Sequence, residues 1–210
     1  MSALRIGFNP DFAPFAALQD GRADGLVIAR LRNALDKAGL EATFVPAPLP
    51  EMAERLQAGA LDALAGVAVS AERSDALAVS RPLATTGGAW FPRAERDWPR
   101  DQALRTAAPG TLRVVSPSAG PLVAQIRTAF PTLDIVECAD YAAAFETVLA
   151  GRADAAALNL QVGRLHAERD HPGRFKLPET PFFEVPLALA VPHGDPLGIL
   201  RRLDPHIDPL

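Results

Sequence analysis

Short apolar runs alternate with longer amphipathic ones along the whole chain. That alternation marks βαβ units and a mainly parallel sheet. Leu4–Phe8 reads as the first strand, and a loop holding Pro10, Pro14 and Gly21 follows. Asp24 and Gly25 open a helix whose Ile28, Leu31 and Leu35 share one face. Gly39 stands where a left-handed C-terminal cap belongs. Residues 42–45 form a second strand, and Pro50 and Glu51 start a helix that carries Met52 and Leu56 and stops at Gly59.

A second series begins near residue 112. Residues 112–115 predict a strand and residues 116–121, Ser-Pro-Ser-Ala-Gly-Pro, a tight loop. Leu122, Ile126 and Phe130 then fall four apart on a helix. Residues 135–137 are a short strand, 142–149 a helix ending at Gly151, and 155–158 another strand. One local pattern occurs in both series: Ala58-Gly59-x-x-Asp62-Ala63 and Ala150-Gly151-x-x-Asp154-Ala155. Each follows an amphipathic helix and precedes a small apolar strand, so it reads as a glycine stop, a sharp turn and re-entry into the sheet. Chance repetition in an alanine-rich chain is the competing account. Residues 84–91 and 182–191 read as strands crossing between two α/β halves, the second broken by Pro186. Ligands of open α/β sheets lie beyond the carboxyl ends of the strands, which puts the expected site between the halves.

Composition narrows the function. Of the 210 residues, 49% are apolar and 22% charged, so an ordinary core can form, and the net charge of −4 is spread over both signs. A phosphate backbone needs a basic stripe, so nucleic acid is excluded as the expected partner. No apolar run reaches the length of a membrane span. Cys138, the single cysteine, has no internal disulfide partner and no accompanying metal or nucleophile motif, and reads as a buried inert thiol. His166, His171, His193 and His206 lack metal-ligand spacing, and neither a metal nor another cofactor is expected. The opening Met-Ser-Ala-Leu-Arg-Ile-Gly enters a strand at once and does not read as a signal peptide.

Five segments, in order, carry a family resemblance. They are Leu4-Arg-Ile-Gly-Phe-Asn-Pro-Asp-Phe-Ala-Pro-Phe15, then Leu61-Asp62 with Ala65-Gly-Val-Ala-Val-Ser-Ala-Glu-Arg73, then Val79-Ser-Arg-Pro-Leu83, Gly151-Arg-Ala-Asp-Ala155 and Ala190-Val-Pro-His-Gly-Asp-Pro196. Together they resemble the bacterial extracellular solute-binding proteins of family 3, the polar amino-acid type. The resemblance implies a two-lobed α/β fold of the type II periplasmic binding proteins. Each lobe would be a mostly parallel sheet flanked by helices, with two crossover strands as the hinge. Lobe one would comprise 1–88 plus 186–210 and lobe two 89–185.

The resemblance also implies where a ligand sits. Arg73 matches an arginine that clamps a carboxylate through paired N–H donors, although a surface pairing with Glu72 or Asp75 is the plain alternative. Gly66 and Val67 line the strand before it. Ser118 and Ala119 match the lobe-two loop that presents backbone N–H groups to an anion. Phe12 matches an aromatic that stacks on the ligand, Phe15 packs beneath the loop, and Trp90, near the expected hinge, has two readings, lining the cleft or, the favoured one, hinge or core packing. Asn9 stands where binders of cationic amino acids carry an acid, and Ala68 where a small hydroxyl is usual. Asn159 stands where a carboxylate usually holds the ligand's ammonium; an amide cannot neutralise that charge, and the plain alternative is a strand-end cap. The expected ligand therefore keeps a carboxylate or similar anion and lacks a free α-ammonium.

The function implied is binding, not catalysis. A monomeric, periplasmic or extracellular protein would close its hinge on an organic acid or amino-acid-like solute and hand it to an ABC permease. Two other readings share the architecture: an enzyme resembling cyclohexadienyl dehydratase, with Glu184 the only acid worth watching, and the ligand-sensing domain of a larger receptor.

Overall fold

The computed structural model describes residues 3–69, 77–118 and 122–210. The chain divides into two compact units, Met1–Thr85 with Val185–Leu210 and Thr86–Glu184.

In the first unit β1 (Leu4–Phe8) leads through β2 (Asp11–Phe12), β3 (Ala16–Gln19) and β4 (Arg22–Asp24) into α1 (Leu26–Ala38). There follow β5 (Ala42–Pro46), α2 (Leu49–Gln57), β6 (Ala63–Ala68) and β7 (Leu77–Val79). β8 (Ala84–Pro92) starts in this unit and continues in the second. The second unit adds α3 (Asp101–Arg105), β9 (Arg113–Pro117), α4 (Leu122–Ala129), β10 (Asp134–Cys138), α5 (Tyr141–Leu149), β11 (Ala155–Asn159) and α6 (Leu160–Asp170). β12 (Phe183–Pro192) returns the chain to the first unit, which ends with α7 (Ile199–Leu203) and one 3-10 turn.

β1 lies parallel to both β5 and β6, and β9 lies parallel to both β10 and β11, as the alternating pattern predicts. The two strands that span both units break the rule. β8 runs antiparallel to β11, and β12 runs antiparallel to β6 and β7. Strand alternation sets the core of the second unit. Ala89 and Phe91 of β8 pack with Val115, Phe145 and Val148 on one face. Trp90 turns to the other, among Val114, Ile126, Phe130 and Ala157. In the first unit Met52 and Leu56 of α2 pack against Leu61, Leu64 and Val67.

The glycine punctuation is as expected. Gly25, at φ 117°, opens α1; a Cβ there would sit 2.5 Å from the Phe15 carbonyl oxygen. Gly39 closes α1 in the left-handed region with its N–H on the Asp36 and Leu35 carbonyls. Two expectations need correction, and one further element had no counterpart in the sequence reading. Residues 11–24 are not a plain loop: β2, β3 and β4 form a three-stranded antiparallel sheet. Its second turn is Asp20-Gly21, both at positive φ, which is hairpin chemistry that the prolines obscured. Ser116 and Pro117 are the last residues of β9 and not the start of a loop. Residues 160–170, given no element from the sequence, form α6.

Candidate functional site

The candidate residues of the first unit gather at β2 and β6. Asn9 follows β1, and its Oδ1 accepts the Asp11 N–H at 3.1 Å, holding the turn into β2. Phe12 is half-buried, with its ring 5.1 Å from that of the buried Phe15. Gly66 lies on β6 at φ 74°, and a Cβ there would stand 3.8 Å from the Phe12 ring. The bare Gly66 backbone therefore lies beside Phe12, in ordinary contact distance of any side chain that replaced its hydrogen. Val67 turns its side chain into the core with Met52 and Leu56. Arg73 lies outside the described residues, as does Ala119.

In the second unit Ser118 is exposed just beyond β9, and its N–H donates to the Cys138 carbonyl at 3.0 Å. Asn159 is the last residue of β11 and the N-cap of α6. Its Oδ1 accepts the N–H groups of Gln161 and Val162, each at 3.2 Å, which satisfies two of the helix's unpaired donors. Its Nδ2 donates to Thr86 Oγ1 at 2.6 Å. Thr86 is 5% exposed, and its hydroxyl donates to Gln161 Oε1 at 2.7 Å. Asn159 is thus a cap and a ligand candidate at once. Thr86 and Gln161 did not emerge from the sequence. The available signal was an asparagine followed by an apolar helical run, which is a start signature.

Tyr141 touches the same group from α5. Burial pushes its phenol well above the ordinary tyrosine range, opposed by a backbone hydrogen bond with Asn159. Trp90 is core: it stacks on Phe182 with ring centroids 4.1 Å apart and donates its indole N–H to Asp101 Oδ1 at 3.0 Å. Glu184 is exposed on β12. Cys138 is half-buried rather than fully buried, and its thiol is pushed up by loss of solvent.

The candidate side chains described here are amides, a hydroxyl, an aromatic ring and small apolar groups. They can donate and accept hydrogen bonds and stack. Among the described residues no group of three His, Cys, Asp or Glu side chains could hold a metal ion, and no helix is long and apolar enough to cross a membrane. A shallow cavity of about 170 Å³ in the first unit is lined by Leu56, Leu61, Asp62, Val191 and Leu197 among others, and by none of the candidates.

Known proteins give the comparison. The sequence profile of the bacterial extracellular solute-binding proteins, family 3, matches residues 4–196. Curated proteins offer no match. Among solved structures, the periplasmic VFT2 domain of Bordetella pertussis BvgS is similar at TM-score 0.81 and 20% identity, over 97% of this chain and 86% of that one. The ancestral amino acid-binding protein AncCDT-1, a precursor of cyclohexadienyl dehydratase, is similar at TM-score 0.76 and 22% identity, over 98% and 87%. The arginine-, lysine-, histidine-binding protein ArtJ of Geobacillus stearothermophilus is similar at TM-score 0.76 and 16% identity, over 98% and 88%.

Proposed function

Because the chain belongs to the bacterial extracellular solute-binding proteins, family 3, and has their two-lobed α/β fold, we propose that it is the substrate-binding component of an ABC importer. Its solute is a small organic acid or an amino-acid-like molecule with a carboxylate, met in the periplasm or outside the cell. The observation that carries this reading is the family match, which runs from β1 to the turn after β12 and so spans both units. Binding would work by closure about β8 and β12, the two strands that pass from one unit to the other, with solute shifting an open–closed equilibrium. Arg73 would supply the carboxylate clamp; because the Ser118 N–H is given to the Cys138 carbonyl, Ser118 would meet the same anion through its hydroxyl and Ala119 through its backbone N–H. Phe12, over the bare backbone of Gly66, would stack on the solute.

We further propose that the solute leaves unchanged. The described candidate positions Asn9, Phe12, Gly66, Ser118 and Asn159 carry no group suited to proton transfer. The test is native mass spectrometry of the purified protein, followed by a thermal-shift panel of organic acids and amino acids. A retained or added carboxylate solute should raise the midpoint through mass action, by about 2.7 kcal/mol of stability at a hundredfold excess over Kd. Arg73→Ala should abolish the shift. Conversion of the bound solute to a product of different mass would overturn the binding-only reading.

A further inference from the structure

We draw no further inference here: the strongest candidate, the shallow cavity of about 170 Å³ between the end of α2 and the turn from β12 into α7, is an apolar surface of Leu56, Leu61, Val191 and Leu197 whose two carboxylates, Asp62 and Asp195, are already committed to Arg5 and to the first turn of α7, and nothing in the structure shows what covers it.

Discussion

Asp62 and Arg5 hold each other through backbone and side chain together. The Asp62 carboxylate accepts the Arg5 N–H at 2.8 Å and the guanidinium at 2.7 and 3.0 Å, while the Asp62 N–H donates to the Arg5 carbonyl at 2.8 Å. The second unit repeats only the backbone half. Asp154 accepts the Arg113 N–H and donates to the Arg113 carbonyl, both at 2.7 Å, and takes its guanidinium from Arg96 at 2.8 Å. The shared part ties the turn after each glycine to the start of β1 or β9, which sets the parallel pairing of the strand that follows.

Asp62→Asn should therefore weaken the first unit. The Arg5 guanidinium holds the Asp62 carboxyl below the ordinary carboxylate range. A depressed folded value means the stabilisation is complete above the unfolded value, about 3.9, and is lost as pH falls through the folded one. Arg5 is half-exposed, so solvent screens the ion pair and the backbone bond to the carboxylate carries most of the effect. The variant should cost about 1–2 kcal/mol at neutral pH. Thermal melts should show the gap to the parent closing below about pH 4. A gap that stays constant with pH would assign the loss to shape and not charge.

The repeat makes a second prediction. Ala58 and Ala150 end their helices at φ −73° and −74°, and Gly59 and Gly151 follow at φ 69° and 71° with open space where a Cβ would go. Gly59→Ala and Gly151→Ala should each cost about 1–2 kcal/mol through backbone strain alone. Asparagine at either position should cost less. Urea titration of the four variants checks the order, and equal losses for alanine and asparagine would refute a purely conformational cause.

Much of this architecture was legible because periodicity reports burial. Ile28, Leu31 and Leu35 share one face of α1 and are all buried, and the glycines at 39, 59 and 151 sit in the left-handed region their positions demanded. The missed elements had weak or masked signals. Asp20-Gly21 was hidden among prolines, and α6 carries so many charged residues, from Arg164 to Asp170, that its apolar face is thin. The site was less legible. Asn159 was found by resemblance, but its capping role and its bond to Thr86, 73 positions away, depend on folding. No local pattern in a sequence encodes such a pair.

Gly87 and Gly88 on β8 separate two kinds of crowding. A Cβ on Gly87 would fall on the Phe183 carbonyl oxygen and 2.5 Å from Pro181 Cβ, so backbone must move. A Cβ on Gly88 would meet Leu122 at 2.6 Å and Phe182 at 2.7 Å, which are side-chain ends that can swing away. Gly88→Ala should cost about 1–3 kcal/mol, the usual range for overpacking, and Gly87→Ala more. Denaturant midpoints and soluble yield compare them. A milder effect at Gly87 would show that Phe183 is not held in place.

Tyr141 is the single tyrosine of the chain, which makes its titration readable without assignment. Burial raises its phenol above the ordinary value of about 10. A raised folded value means that the stability it contributes is complete below the unfolded value and is lost as pH climbs toward the folded one. Ultraviolet difference absorbance of the native protein should therefore show no tyrosinate as pH passes about 10, the ordinary tyrosine value. When the signal comes, it should coincide with loss of secondary structure, because unfolding releases the phenol before it ionises in place. Tyr141→Phe keeps the ring stacked on His166 at 5.4 Å and removes the ionisation, so it should resist alkaline unfolding better than the parent. A reversible tyrosinate signal in the folded protein near pH 10 would contradict the burial on which this rests.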